Sequence, residues 1–155
     1  MKLLEQLSKY IKTDAETENF FRNETETKVF AKGEMLSKQN TFNRTVFFME
    51  EGLARTFYYE KGKDITTNFY SEGKVFASID TIFTDEPTRY NIETLEESKI
   101  TFCHYDKLEA LCSVSLTSAN FSRFILGNLM SQMAKRINSL QYMTAKEKYA
   151  QLLEE

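Results

Sequence analysis

Between Phe69 and Ser98 the chain gathers the residue types that could bind an anion. Val75-Phe76-Ala77 is a short apolar run, and Ser78 to Thr84 opens as a one-turn helix with Ser78 or Asp80 as its cap. Backbone N–H groups at such a start can face an anion. Lys74 and Arg89 are the nearby cations, while Asp80, Asp85, Glu86 and Glu93 would repel an anion if they pointed the same way. Charged groups near a loop are more often solvated surface, and that is the plainer reading of each. Other chemistry is scarce. His104 is the only histidine, whereas a metal-dependent β-barrel enzyme usually takes two or three plus a carboxylate. A Ser-His-Asp or Cys-His site has no spacing to support it. Cys103 and Cys112 cannot supply the four thiolates of an iron–sulfur cluster. Without an export signal they read as reduced thiols of a cytoplasmic protein. Haem ligation by His104 is the sharper alternative to a strand histidine satisfied by hydrogen bonds, and the weaker one.

The flanking sequence is β-rich. Short β-branched and aromatic runs occur at Thr27–Ala31, Met35–Lys38, Thr45–Glu50, Leu53–Tyr59, Ile65–Tyr70, Arg89–Leu95 and Ile100–His104. Gly33, Asn40, Gly52, Gly62 and Gly73 punctuate them, with Ala31-Lys32-Gly33-Glu34 and Glu72-Gly73 as turns. Strands at this spacing argue for an antiparallel sandwich or roll. Tyr58 and Tyr70 would line it as core. Ahead of the strands, Leu3, Leu4, Leu7, Tyr10 and Ile11 recur at helical spacing. Asp14 then caps a second short helix that carries Phe20 and Phe21 inward.

After the strands, Asp106 is expected to cap a helix over Lys107–Leu111, and a long helix starts near Ser115 to Ser118. Within it Leu126, Met130, Met133, Ile137 and Leu140 follow a 4-3-4-3 spacing, the seam by which a helix packs along a parallel partner. Phe121, Phe124, Ile125 and Leu129 form a second patch suited to the roll. Packing of both faces inside one subunit is the plainer account, but a seam this long exceeds what one small roll needs. A homodimer through this helix is therefore expected. Thr144 opens a final capped helix carrying Tyr149, Leu152 and Leu153.

Gly52-Leu53-Ala54-Arg55-Thr56-Phe57-Tyr58-Tyr59 with Gly62-Lys63, Phe69-Tyr70-Ser71-Glu72-Gly73, and Ile92-Glu93-Thr94-Leu95-Glu96-Glu97-Ser98 together carry a resemblance over nearly the whole chain. It resembles the sensor half of the cyclic-AMP receptor protein and fumarate-nitrate regulator family. The resemblance implies a mainly β fold with flanking helices: an antiparallel double-stranded β-helix, or jelly roll, with a long C-terminal dimerisation helix. It divides the chain into a β-roll with N-terminal helices over residues 1–114, the dimerisation helix over 115–143, and over 144–155 the start of a winged-helix DNA-binding domain that is otherwise missing. It also implies a ligand pocket formed by Phe76, Ala77, Ser78, Thr88, Arg89, Tyr90 and Gln132. Met133 and Arg136 lie on the same part of the long helix, and Met133 is the seam residue of the three. The family's cyclic-nucleotide binders carry Gly-Glu at the cassette helix and an arginine before the next strand. Here Ala77-Ser78 and Thr88 stand at those places, and Arg89 lies one step along, which in a strand is the opposite face.

Cyclic AMP or another small anion is thus not expected through the usual contacts, and no cofactor is expected. The resemblance implies a non-enzymatic sensor of a transcription regulator, with an unknown small effector and DNA contacted only through the further domain. A cyclic-nucleotide receptor using Arg89 is the alternative, and a small cupin-type metal enzyme a more distant one. The 155 residues suffice for one core, with 41% hydrophobic residues and 13 Phe. A net charge of −3 gives no reason for the chain to grip nucleic acid by itself. No apolar run is long enough to cross a membrane.

Overall fold

The structure is a computed structural model that describes residues 2–10, 12–142 and 144–154; the side chains of Leu7, Tyr10, Leu140, Gln141 and Tyr142 are outside that description. The expectations placed on Leu7, Tyr10, Ile11 and Leu140 therefore fall outside the described residues or side chains. Two helices, α1 (Lys2–Tyr10) and α2 (Ala15–Asn23), precede the strands β1 (Glu26–Phe30), β2 (Met35–Ser37), β3 (Thr45–Glu51), β4 (Ala54–Glu60), β5 (Lys63–Tyr70) and β6 (Val75–Ala77). A single turn, α3 (Ile79–Thr84), leads to β7 (Asn91–Thr94) and β8 (Ser98–His104). Three helices follow: α4 (Tyr105–Val114), α5 (Leu116–Tyr142) and α6 (Ala145–Glu154). The strands form two antiparallel sheets, β1-β8-β3-β6 and β2-β7-β4-β5.

Alternation along β3 sets the layers. Phe47 and Met49 point between the sheets, where they meet Ala54, Phe76, Ile92 and Ile100 in one buried cluster. Phe48 points to the back of the first sheet, where it meets Leu3, Phe20, Phe21 and Leu111 in a second. One strand therefore supplies both cores, as a two-residue side-chain period allows. The backbone closes most tightly at Gly52. Its φ of +120° suits glycine, and a Cβ there would come within 2.8 Å of the Ser98 Cα.

Several expected boundaries shift, each for a hydrogen-bonding reason. Val75–Ala77 is a strand in its own right, pairing Phe76 with Phe47. The strand expected from Arg89 begins at Asn91, because the Thr88 and Arg89 N–H groups donate to the Thr41 carbonyl and the Asp80 carboxylate and not to the ladder. Asp106 does not cap α4. The preceding His104 does, its Nδ1 accepting from the Asp106 N–H at 3.2 Å, while the Asp106 carboxylate pairs with Arg44 at 2.7 Å. Phe124, expected against the roll, is 47% exposed, whereas Phe121 packs on the back cluster.

Polar groups tie the helices to the roll. The buried Glu50 carboxylate accepts from the Lys2 N–H at 3.1 Å and the Thr101 hydroxyl at 2.8 Å, anchoring the start of α1 to β3 and β8. Asp14 caps α2 by accepting from the Thr17 N–H at 2.9 Å, and its other oxygen accepts from the Ser115 hydroxyl at 2.5 Å. Thr17 bonds in turn to Ser118 at 2.6 Å, so a cap on α2 also holds the first turn of α5. Hydrogen bonds from Ser115, then from Thr17, hold the Asp14 carboxyl below its ordinary pKa. A lowered folded-state pKa makes that contribution fully present above the unfolded carboxylate's value of about 3.9 and lost as pH falls through the folded value. Asp14→Ala is expected to cost about 1–2 kcal/mol in urea unfolding at neutral pH. The cost should shrink as pH falls below about 4; an equal loss at both pH values would contradict the linkage.

Candidate ligand-binding site

Strand β6 turns Phe76 into the space between the sheets, and Phe76, Ala77 and Ser78 are all buried. Ser78 occupies the N-cap position of α3 but makes no capping bond. Its hydroxyl is spent across the roll, 2.8 Å from the Ser37 hydroxyl of β2. The expected second cap, Asp80, acts as a clamp. It accepts from the Thr81 N–H at 3.0 Å and from the Arg89 N–H at 2.8 Å, fastening both ends of the cassette loop. Thr81 adds a bond from its hydroxyl to the Glu86 carbonyl at 2.7 Å.

Thr88, which stands where the resemblance places an arginine, is fully buried. Its carbonyl accepts from the Asn40 N–H at 2.8 Å, and its hydroxyl accepts from the Tyr90 N–H at 3.2 Å. Arg89 is exposed, and Tyr90 is half-buried with its ring edge-on to Tyr58 at 5.8 Å. Gln132 is exposed on α5. Of the expected pocket residues, 76–78 and Thr88 are therefore buried and Tyr90 half-buried, while Arg89 and Gln132 are exposed.

Aromatic rings fill the interior beside them. Tyr70 lies flat on Phe76, with ring centres 4.5 Å apart and planes 7° apart, and Phe76 stacks on Phe47 at 5.4 Å. Phe102 and Phe30 continue the row. The Tyr70 hydroxyl pairs with Thr56 at 2.9 Å. Burial pushes the Tyr70 phenol above its ordinary pKa, opposed by the Thr56 hydrogen bond and by the charge of Arg136 on α5. Arg136 therefore lies within electrostatic reach of the roll's phenol. Among the described residues, no buried side-chain nitrogen or oxygen lacks a partner. A charged guest in this interior would have to break existing bonds to gain its own.

Sequence reasoning missed the strongest charged cluster. The Arg55 guanidinium holds Asp64 through two bonds of 2.8 and 2.7 Å, Glu93 at 2.8 Å and the Thr66 hydroxyl at 2.7 Å. It also lies over the Phe57 ring at 4.0 Å. Its pKa is raised chiefly by the Asp64 hydrogen bond. Glu93 therefore serves a structural clamp on the second sheet and does not repel an anion from the cassette. The only hint in the sequence was the placement of Arg55, Phe57 and Glu93 on adjacent strands, which requires knowing the register. Among the described residues, no three His, Cys, Asp or Glu side chains gather as a metal ion would need.

Comparison with known proteins agrees with this geometry. The description "Cyclic nucleotide-binding domain" matches residues 27–115. A mutant of CooA from Carboxydothermus hydrogenoformans superposes with a TM-score of 0.69 at 21% identity, covering 97% of this chain and 63% of that one. The catabolite activator protein of Thermus thermophilus gives 0.67 at 12% identity, covering 84% and 61%. A cyclic nucleotide-binding domain from Methylobacillus flagellatus gives 0.73 at 10% identity, covering 90% and 80%. At these identities the likeness is one of fold. The chain spans little more than three fifths of the CooA and catabolite activator chains. No curated protein matches the sequence.

Removal of the central ring tests how far the roll depends on it. Phe76→Ala should cost about 3–5 kcal/mol in denaturant unfolding, because the neighbours Tyr70 and Phe47 are held by their own strands and cannot collapse into the space. A loss below about 1 kcal/mol would mean that the stack is dispensable.

Proposed function

The chain belongs to the cyclic nucleotide-binding domain family, and from that premise we propose that it is the ligand-sensing and dimerisation domain of a bacterial transcription regulator of the cyclic-AMP receptor protein and fumarate-nitrate regulator type. It is a regulatory domain and not an enzyme. Its partner is a second copy of itself, and DNA is contacted by a domain beyond the roll and the long helix. It works in the cytoplasm, and none of its described helices is long and apolar enough to cross a membrane.

The observation that carries this reading is the outer face of α5. Leu126, Met130, Met133 and Ile137 are 38%, 71%, 62% and 54% exposed along one seam of a 27-residue helix. A monomer gains nothing from that display, whereas two identical helices side by side bury both seams by knobs-into-holes packing. The 4-3-4-3 spacing is the one such a pair requires, which favours a second copy over an unrelated partner.

The effector is not a cyclic nucleotide held in the usual way. Phe76, Ala77, Ser78, Thr88 and Tyr90 line the family's ligand space, but Ser78 and Thr88 are short hydroxyls already bonded within the roll. Neither offers the carboxylate or guanidinium that would hold a ribose and a cyclic phosphate. Arg89 at the surface is the cation that the alternative reading uses, and Gln132 would reach the ligand from the helix.

Light scattering and sedimentation of the purified chain should give twice the monomer mass. Met130→Glu combined with Ile137→Glu should give the monomer mass with an unchanged β-sheet spectrum, since both side chains are exposed in the single chain. A monomeric wild type at high micromolar concentration would remove the dimer. Calorimetric titration with cyclic AMP and cyclic GMP should give no heat at millimolar ligand. Micromolar binding that disappears in Arg89→Ala would establish the cyclic-nucleotide receptor in its place.

A further inference from the structure

The back of the β1-β8-β3-β6 sheet does not close completely under its helices. An apolar cavity of about 90 Å³ remains there, and it is not sealed from solvent. Val46, Phe48 and Cys103 form its floor, Leu111 of α4 one wall, and Phe121 and Ile125 of α5 its cover. Phe47 and Phe102 of the aromatic row also border it, but none of residues 76–78, residues 88–90 or Gln132 does, so it is distinct from the ligand pocket expected from the sequence.

Its lining defines what could enter. The polar groups at its edge are already satisfied: Thr17 bonds to Ser118 at 2.6 Å, and Thr101 donates to Glu50 at 2.8 Å. Burial raises the Cys103 thiol to about 11, so it is a neutral, weakly polar wall at ordinary pH. A charged or strongly hydrogen-bonding guest would find no partner there. A cavity of about 150 Å³ lined by Leu, Ile and Phe stays dry and takes benzene or xenon. The space here suits a guest of that kind or slightly smaller.

Its position gives such a guest leverage. The cavity is walled by α1, α2, α4 and the first half of α5, and α5 carries the exposed seam further along. A guest that contacts α5 only when the helix is docked has different affinities for docked and displaced arrangements, which is what coupling requires. We propose that this cavity is a binding site for a small, uncharged, apolar molecule, and that its occupancy fastens α5 to the roll. The regulatory meaning rests on the sensor reading above; the binding itself does not.

The probes are xenon and benzene, applied to the 155-residue chain with ¹³C-labelled methyl groups. Saturable shifts of the Val46, Leu108, Leu111 and Ile125 methyls are expected, with the remote Ile65 and Ile92 methyls unmoved. Cys103→Leu and, as a smaller addition, Val46→Ile should fill the space and weaken xenon binding at least about tenfold, with an unchanged β-sheet spectrum. Benzene should also slow amide exchange in the first turns of α5 in the wild type and not in the filled chains. Absence of saturable methyl shifts, or equal binding by a folded filled variant, would overturn the site. Binding without any change in α5 exchange would overturn the coupling. A dimer that binds neither probe would sink the cavity and leave the sensor reading standing; a monomer that binds both would do the reverse.

Discussion

The Tyr70–Phe76–Phe47 stack is the contact on which the two sheets depend. Tyr70 belongs to β5 of one sheet, whereas Phe76 and Phe47 belong to β6 and β3 of the other. Rings this large remove much apolar surface from water, and each offset pair contributes about 0.5–1.5 kcal/mol beyond that burial. The stack also sets the cassette. With Phe76 held between two rings, β6 is pinned against β3, and Ser78 arrives opposite Ser37. The short turn of α3 then begins from a fixed point.

The same arrangement fills the interior of the roll. Where a charged ligand would need unpaired donors and open volume, this roll offers paired hydroxyls and stacked rings. Ser37–Ser78, Thr56–Tyr70 and Thr88–Tyr90 close the polar groups on one another. A roll of this type is a scaffold on which different sites can be built, so kept fold and changed ligand are compatible. The space that remains lies at the junction between the back of the sheet and the helices. There the packing must join a curved sheet to four helices of different direction.

The long helix has to satisfy two surfaces at once. Its first turns are locked by Ser115 and Ser118 to the cap of α2, and Phe121 packs on the back cluster. Further along, Leu126, Met130, Met133 and Ile137 stand exposed as a seam, while Arg136 lies within electrostatic reach of Tyr70. A rigid rod anchored at one end transmits small shifts at its base to its far end, provided the base has two arrangements. The polar lock at Asp14 and the apolar packing at Phe121 are the elements that would distinguish them.

Much of this architecture was legible in the chain. Runs such as Thr45–Glu50 and Ile100–His104 are short and rich in β-branched and aromatic residues, with turn residues such as Gly52 and Gly62 between the runs, which marks them as strands. Asp14 ahead of Phe20 and Phe21 announced a capped helix, and Leu126 to Ile137 announced a seam, because caps and helical stripes act over a few residues. Register and distant pairing were not legible. Arg55 reads as one more strand residue until β5 and β7 bring Asp64 and Glu93 beside it. His104 takes the capping role expected of Asp106 because Arg44, 62 residues away in sequence, claims the Asp106 carboxylate. Local periodicity and capping determined which segments became strands and helices. Which side chains met inside the roll, and where space was left over, only the tertiary structure decided, because those outcomes depend on contacts between segments that carry no record of one another.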